Sequence, residues 1–423
     1  MNIIAWLGET WVNSVIGIVG IVIGIASLGN FDIAIIVGVI LFIILLLRSF
    51  ISPKKVIKPS VPDVQLPDHF ENIPQINNFK YQLGNPEIQI VQNTCIPNKN
   101  PFVDGKALCP NSPVFFGRDN ELRKIQSTLV RADNAGSVSI VGENKSGKSS
   151  LLFQIYQWLG AQYQTISIHT TMSDWQFSKQ PDFFVHLHQA ICSALSLHDI
   201  EIAMDYEAFK EFVRDYAAQG YYFVLLIDEF DKMVKYPNFD NEFFGNMRSL
   251  GDNPGYHFSF VLSSRQDLET ICDNNKALGS EFWNIFDTHI LGLLDEKIAR
   301  QSLLDFMKAS LGNVRGLNAK IDEILQLSGR QPFFMQVVAS EYWWAIGDKK
   351  DVKPADISYK LRPHFKALWK HCSERERKVL LLVANGKHVG ENPITQELQQ
   401  RGLLTEDYQL FSPLFEQFVK NKC

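Results

Sequence analysis

One short segment, Gly142–Ser149, constrains the fold of this chain more than any other feature. It reads Gly-Glu-Asn-Lys-Ser-Gly-Lys-Ser, which completes the pattern G-x-x-x-x-G-K-[ST]. The β-branched run Ser137–Val141 before it predicts a buried strand, and Ser150–Leu159 after it carries apolar residues at helical spacing. Strand, loop and helix in this order predict a phosphate-binding loop in an α/β fold.

The chemistry of such a loop predicts the roles of its residues. Backbone N–H groups of the loop and the N-terminal end of the next helix attract phosphate oxygens. Lys148 is predicted to reach the β- and γ-phosphates of a nucleotide, and Ser149 to ligate Mg²⁺. The loop therefore predicts a nucleoside di- or triphosphate together with Mg²⁺ as cofactors. The residues predicted to bind the nucleotide here are Gly142, Glu143, Asn144, Lys145, Ser146, Gly147, Lys148, Ser149 and Ser150.

A second motif supplies carboxylates about eighty residues downstream of the phosphate loop. Phe223–Asp231 reads Phe-Val-Leu-Leu-Ile-Asp-Glu-Phe-Asp, and its apolar run predicts a central parallel strand covered on both faces. Ligands of open α/β sheets bind at the carboxyl ends of strands, where Asp228 and Glu229 follow. Asp228 is predicted to hold Mg²⁺, and Glu229 to act on the attacking water as general base. A solvated acidic turn is the alternative reading of this segment on its own.

Further strands are predicted around these motifs. His257–Ser263 is followed by Ser264 and Arg265, and a polar or cationic group there is placed to contact the γ-phosphate. The remaining strand and helix candidates are Thr165–His169, Phe286–Leu291, Pro181–Leu197, Tyr206–Ala218 and Asn241–Leu250. Alternating strands and helices predict the fold class α/β, a P-loop NTPase parallel sheet with helices on both faces.

The N-terminal residues 1–52 are predicted to form a transmembrane helical hairpin. Thr10–Phe31 and Ile33–Leu47 carry no charged residue, and each approaches the length that crosses a hydrocarbon core of roughly 30 Å. A secretory signal peptide would need a basic start, but the first Lys or Arg of the chain is Arg48. A buried hairpin in a soluble protein is the other alternative.

The charges after the hairpin predict its orientation. Arg48, Lys54, Lys55 and Lys58 follow the second span, so this side is expected to face the cytoplasm. The predicted localisation is a two-span membrane protein whose remaining domains are cytoplasmic. Residues 53–112 read as an extended linker, because ten of the eighteen prolines lie between Pro53 and Pro113.

The order of several further motifs resembles one family. Pro113–Arg118 with Glu121, the phosphate loop, the Asp228–Glu229 strand end and Ser263–Arg265 match the STAND ATPases, which are signal-transducing P-loop ATPases related to the AAA+ and NB-ARC groups. Other matching segments are Asn100–Phe102, Leu291–Asp295, Ser328–Gln336, Arg401–Leu404 and Leu410–Phe415. The resemblance covers about Asn100 to Val419, and it implies a nucleotide-binding domain at 113–291, a helical lid at 292–368 and a winged-helix domain at 369–423.

The resemblance also implies residue roles. Arg118 would lie near the base or ribose, Arg265 would act as the sensor of the γ-phosphate, and Pro332 would contact adenine from the lid. Lys148, Glu229 and Arg265 would be the catalytic residues, Ser149 and Asp228 would hold Mg²⁺, and the nucleotide would be ATP or ADP. Lys145 departs from the family, whose members often carry arginine there; the charge is kept but a bidentate contact is lost.

The charge of the chain argues against a nucleic-acid reader. The net charge is −5, and from Trp369 to Cys423 eight Lys or Arg residues face seven Asp or Glu. Asn392–Arg401 would be the recognition helix of a DNA-binding domain, yet a base-reading domain normally shows a basic face. Intramolecular packing of this domain is therefore favoured, and nucleic acid is not excluded.

Two functions are compatible with these features. The favoured hypothesis is a membrane-anchored ATP-dependent switch, and a slow ATPase, whose nucleotide state controls homo-oligomerisation and an output at the lipid membrane, in stress or antiphage defence. Its trigger, a protein or a ligand, is unassigned. The alternatives are a membrane-tethered scaffold or DNA-binding regulator, and an AAA+-like remodelling motor.

Overall fold

The described part of the chain begins after the predicted hairpin. The structure, a computed structural model, describes residues 99–102, 105–110, 112–130, 135–172, 180–197, 202, 205–236, 239–274 and 281–422. The hairpin predicted over 1–52 and residues 53–98 of the linker predicted over 53–112 lie outside these residues. Within them, no helix is both long enough and apolar enough to cross a bilayer.

A parallel sheet forms the centre of the described residues. Its five strands are β1 (Ser137–Val141), β2 (Thr165–Thr171), β3 (Tyr222–Asp228), β4 (Phe258–Ser264) and β5 (Phe286–Ile290). They lie in the order β2-β3-β4-β1-β5, and every neighbouring pair is parallel. The α/β class and the parallel sheet are therefore confirmed. β4 lies between β1, which leads into the phosphate loop, and β3, which ends in Asp228.

Helices cover both faces of this sheet, as the strand pattern predicts. They are α1 (Asp119–Leu129), α2 (Lys148–Leu159), α3 (Gln180–Ala194), α4 (Tyr206–Ala217), α5 (Phe230–Met233), α6 (Asn241–Asp252) and α7 (Leu268–Asn274). Alternate residues of β3 enter opposite cores: Val224 packs with α2, whereas Leu225 packs with a phenylalanine-rich cluster on the other face. This two-sided burial explains why β3 reads as an unbroken apolar run.

Seven helices follow the sheet in the described residues. Four are α8 (Glu296–Leu311), α9 (Leu317–Ser328), α10 (Pro332–Asp348) and α11 (Pro354–His371), here called the lid helices; three are α12 (Glu374–Ala384), α13 (Pro393–Gln400) and α14 (Pro413–Lys420), here called the C-terminal helices. A single antiparallel bridge joins Leu404 and Leu410 between α13 and α14. Ser373 and Glu376 are three residues apart, a spacing that predicts a capping box, and this box is confirmed at the start of α12.

The lid helices and the C-terminal helices share one hydrophobic core. The rings of Phe334 and Phe411 stack at 5.6 Å, and those of Phe365 and Phe415 lie 5.4 Å apart. The hydroxyl of Ser412 donates to the carbonyl oxygen of Leu327 at 2.6 Å. The core thus runs across residue 368, where the sequence predicts a domain boundary.

Candidate functional site

The glycines of the phosphate loop have separate structural reasons. Gly147 has φ +97°, a left-handed backbone that favours glycine, and it directly precedes α2. A Cβ atom on Gly142 would lie 2.6 Å from the hydroxyl oxygen of Ser146 and 3.1 Å from the carbonyl oxygen of Leu291. The loop is therefore tightly packed at Gly142 and turns sharply at Gly147, directly before the start of α2.

Lys148 is buried inside this loop. Its ammonium donates to the carbonyl oxygens of Gly142 at 2.8 Å and Glu143 at 3.0 Å. Burial lowers the pKa of Lys148, and the nearby carboxylates of Asp228 and Glu143 only partly offset that effect. A phosphate group suits this position, because its charge would stabilise the buried ammonium where carbonyl dipoles do so incompletely.

The carboxylates at the end of β3 have different surroundings. Asp228 is buried, and its Oδ1 accepts from the backbone N–H of Glu229 at 2.9 Å and from the hydroxyl of Ser263. Glu229 has a left-handed backbone at φ +57°, and its partly exposed carboxylate accepts from Lys232 at 2.5 Å. The first group is held rigidly and the second faces an open cleft, which suits a metal ligand and a proton acceptor respectively.

One cleft brings the predicted phosphate-binding and hydrolytic residues together. It is lined by Asn144, Lys145, Lys148, Ser149, Asp228, Glu229 and Arg265, with Phe334 and His364 from the lid helices. The hydroxyl of Ser149 and the carboxylate of Asp228 are hard oxygen donors, and together with phosphate oxygens they fit Mg²⁺. Among the described residues no cluster of three or more His, Cys, Asp or Glu side chains is placed to hold a metal.

A second cleft lies beside the first, on the other side of the phosphate loop. The cleft encloses about 850 Å³, counting the part open to solvent. Its apolar walls include Val114, Phe116, Leu294, Pro332 and Phe333, and loop residues Lys145 to Ser150 form the end near the phosphates. Pro332, the first residue of α10, lines this cleft, and its contact with adenine stays a prediction.

Arg118 lines the same cleft but is firmly bound within the protein. Its guanidinium donates to the carbonyl oxygen of Gly292 at 2.6 Å and pairs with Glu121 at 2.9 Å. Burial lowers the pKa of Arg118, and Glu121 partly opposes this effect. Arg118 therefore joins the segment before the sheet to the chain that leaves β5, and its contact with a nucleotide stays a prediction.

A segment that the sequence assigns to the linker forms one wall of this cleft. Residues Lys106 to Leu108 line it, and the backbone N–H of Leu108 donates to the hydroxyl of Ser150 at 2.9 Å. Lys145 reaches over and donates to the carbonyl oxygen of Gly105 at 2.6 Å. Phe102 is buried in the core of the lid helices. This apolar residue among prolines was the one sign in the sequence that the segment packs against the domain.

Arg265, the predicted sensor, is engaged by two partners. Its Nε and Nη2 donate to Oδ2 of Asp231 at 2.9 and 2.5 Å, and its Nη1 lies 2.9 Å from Nε2 of His371. Burial and the charge of Arg265 lower the pKa of His371. Arg265 therefore links the end of β4 to the last residue of α11. No sequence pattern indicated that Arg265 would contact Asp231 and His371.

Arg401 reaches the phosphate loop from the C-terminal helices. Its guanidinium forms a salt bridge with Glu143, the second residue of the loop, and another with Glu376 at the start of α12. The sequence had placed Arg401 at the end of a candidate recognition helix. In the structure the only arginine of Asn392–Arg401 points into the protein.

Comparisons with known proteins agree with this geometry at a coarse level. A family model described as Novel STAND NTPase 2 matches residues 204–389, which include Asp228, Glu229, Arg265 and Pro332 but begin after the phosphate loop. No curated protein matches the chain. The family match supports a P-loop NTPase of the STAND kind.

Solved structures show distant similarity. A Walker-type ATPase of Pyrococcus abyssi is 14% identical and is matched over 72% of this chain and 96% of that chain, with a TM-score of 0.45. The ORC2 protein of Aeropyrum pernix, in ADPNP–ADP complexes, is 12% identical over 76% and 98% of the two chains, with a TM-score of 0.45. Domain III of the Thermotoga maritima replication initiation protein DnaA is 13% identical over 58% and 92%, with a TM-score of 0.36.

Proposed function

We propose that this chain is an ATP-binding switch that hydrolyses ATP slowly and is anchored in a membrane by its first 52 residues. The observation that carries the nucleotide part is the buried ammonium of Lys148 in a glycine-rich loop that shares a cleft with Asp228 and Glu229. Preorganised donors around a site of developing charge are the main source of catalysis in phosphoryl transfer.

Each residue of the cleft has a proposed task. Lys148 and the loop N–H groups bind the phosphates, while Ser149 and Asp228 hold Mg²⁺, which supplies positive charge to the phosphate oxygens when bound. Glu229 accepts the proton of the attacking water once its carboxylate separates from Lys232. The apolar cleft between residues 106–116 and α10 takes the base, with Pro332 beside it.

Slow hydrolysis is expected because Glu229 and Arg265 already form ion pairs within the protein. Glu229 is paired with Lys232 and Arg265 with Asp231, so both side chains would have to exchange partners before they act on a phosphate. Such a rearrangement is a conformational step, and steps of this kind often limit turnover. An ATPase built in this way reports which nucleotide is bound rather than working as a fast motor.

The membrane part of the proposal is supported by the sequence alone. The uncharged runs before Arg48 favour a hairpin, and the basic residues after it favour a cytoplasmic location for the nucleotide site. In the switch, ADP holds one conformation and ATP or a partner's signal favours another that self-associates. A ligand shifts such an equilibrium only by its difference in affinity for the two forms. An output in stress or antiphage defence is the function that the resemblance implies.

Nucleotide binding by the purified full-length protein tests the core of the proposal. We expect ADP and ATP to bind in Mg²⁺ buffer, Lys148→Ala to abolish binding, and Glu229→Gln to keep binding but lose hydrolysis. Lys308→Ala, which removes an exposed lysine of α8, is the matched control and should behave as wild type. Absence of nucleotide binding in the wild-type protein, or full activity of Lys148→Ala, would refute the site.

The oligomeric state tests the switch separately from the site. The mass of the detergent-solubilised protein is measured with ADP and then with a non-hydrolysable ATP analogue. A larger assembly with the ATP analogue is the expected result. An unchanged mass together with salt-dependent binding of duplex DNA would instead favour the DNA-binding alternative.

A further inference from the structure

Arg401 forms a buried link between two parts of the molecule. Its Nε donates to Oε1 of Glu143 at 2.7 Å, Nη2 contacts the same oxygen, and Nη1 pairs with Glu376. The side chain of Arg401 is 15% exposed, that of Glu143 7% and that of Glu376 8%. Glu143 and Arg401 are 258 positions apart in the chain, so this ion pair exists only when the C-terminal helices lie against the sheet.

Glu143 brings a negative charge into the phosphate loop. Its carboxylate belongs to a loop proposed to bind polyphosphate, and its backbone carbonyl is a partner of Lys148 at 3.0 Å. A bare carboxylate at this point would repel phosphate oxygens and compete for Lys148. Arg401 neutralises this carboxylate. Burial by itself lowers the pKa of Arg401, but Glu143 and Glu376 outweigh that effect and raise it above its usual value.

The surrounding backbone fits closely around this ion pair. A Cβ atom on Gly292, in the chain that leaves β5, would lie 2.8 Å from the carbonyl oxygen of Gln400. A Cβ atom on Gly402 would lie 3.1 Å from the backbone nitrogen of Leu293. Glycines on both sides thus allow the two backbones to touch on either side of Arg401. The contact is built around the ion pair, whereas the C-terminal helices face the lid helices through an apolar core.

We propose that Arg401 couples the docking of the C-terminal helices to phosphate binding. When these helices are docked, Arg401 neutralises Glu143 and the loop accepts a nucleotide. When they separate, Arg401 leaves with Glu376, Glu143 stays uncompensated beside the loop, and affinity for the phosphates falls. The proposal rests on the nucleotide site proposed above and adds a residue from outside the sheet to it.

Reciprocity gives this contact a regulatory direction. If docking raises the affinity for a nucleotide, the nucleotide must stabilise docking by the same factor. A bound nucleotide therefore favours the docked form, and undocking favours nucleotide release. Removal of one member of a buried pair leaves the other charge uncompensated, whereas removal of both does not.

Three variants of the full-length protein separate this mechanism from a general loss of structure. Binding of a fluorescent ADP analogue in Mg²⁺ buffer is measured for Arg401→Gln, Glu143→Gln and the double variant. We expect Arg401→Gln to weaken binding by roughly 5- to 150-fold, the usual range for coupled sites. Glu143→Gln should bind at least as tightly as wild type, and the double variant should recover most of the affinity that Arg401→Gln loses.

Docking is followed in the same variants by hydrogen exchange at residues 400–403. Exchange there should be faster in all three variants than in wild type, and saturating ADP should slow it in wild type. Arg377→Gln is the matched control, because Arg377 donates to the carbonyl oxygens of Trp369 and Lys370 at 3.0 and 2.9 Å, away from the loop. It should leave ADP affinity unchanged.

The outcomes distinguish this coupling from the nucleotide site itself. Wild-type affinity in Arg401→Gln, or a double variant that binds no better than Arg401→Gln, would overturn the coupling while the site stands. A wild-type protein that binds no ADP would overturn both. A loss of affinity in Arg377→Gln equal to that in Arg401→Gln would also overturn the coupling, since the charge of Glu143 would then be irrelevant.

Discussion

Ser263 contacts both acidic residues at the end of β3, Asp228 through its carboxylate and Glu229 through its backbone. Its hydroxyl donates to Oδ1 of Asp228, and its oxygen accepts from the backbone N–H of Glu229 at 3.2 Å. Ser263 is fully buried at the end of β4, the strand between the phosphate loop and Asp228. It therefore fixes the carboxylate that is proposed to hold Mg²⁺, as groups behind a metal ligand commonly do.

Ser263→Ala should weaken the binding of Mg²⁺ without unfolding the protein. Partners behind metal ligands typically change metal affinity or activity by about 10- to 100-fold, so we expect a rise of that order in the Mg²⁺ concentration for half-maximal ATP hydrolysis. Ser259→Ala is the control: this buried serine of the same strand donates to the carbonyl oxygen of Ala135 at 3.1 Å, away from Asp228. Equal Mg²⁺ titrations for the two variants would contradict the role of Ser263.

Helix α9 shows how one element fixes the position of another. The helix ends at Ser328. The next residue, Gly329, has a left-handed backbone with φ +64°, and a Cβ atom there would lie 1.8 Å from the carbonyl oxygen of Phe411. The first turn of α9 is preceded by Gly316, also left-handed with φ +77°, where a Cβ atom would meet open space. Only the glycine after the helix is required for both its backbone angle and its contact.

The two glycines predict different costs for the same substitution. Gly316→Ala should destabilise the fold by about 1–2 kcal/mol through the left-handed backbone alone. Gly329→Ala should lower the free energy of unfolding by about 1–3 kcal/mol or more beyond that backbone cost, because the chain at Phe411 must move away. Urea unfolding of both variants measures the difference. Similar losses of stability would mean that α9 and the segment at Phe411 do not pack as closely as the structure has them.

At the scale of the whole molecule, the lid helices and the C-terminal helices are built on one core. Phe334 and Phe365 from the lid and Phe411 and Phe415 from the C-terminal part are all buried and in mutual contact. Full burial of such a side chain is worth roughly 1.5–3 kcal/mol. The contact with the sheet is held by the charged groups of Arg401, so the two faces of the C-terminal helices differ in character.

Removal of residues 373–423 should therefore damage the lid. The rings of Phe334 and Phe365 would lose their covering, and we expect the shortened protein to bind a hydrophobic dye and to self-associate in sedimentation experiments. Removal of residues 421–423 alone is the control and should leave the protein unchanged, because Asn421 and Lys422 are exposed. A monomeric shortened protein with cooperative unfolding would show that the lid helices have a sufficient core of their own.

The sequence by itself determined the features that depend on neighbours along the chain. The phosphate loop needs a strand, glycines and a helix in direct succession, and Gly142–Ser149 lies in that context. Apolar runs such as the one before Asp228 predicted the parallel strands, since both faces of such strands are covered. The cap of α12 was predicted for the same reason, because Ser373 and Glu376 are three residues apart.

Only the tertiary structure decided which distant side chains meet. The pairs Glu143–Arg401 and Arg265–His371 are 258 and 106 positions apart, and a count of charges gives no sign of either. Residues 106–108, which form one wall of the cleft, were assigned to a linker because the prolines around them are typical of an extended segment. In the structure these residues pack against the phosphate loop and the lid helices. Such contacts follow from how packed helices place their ends, which depends on shape complementarity throughout the core rather than on any local pattern.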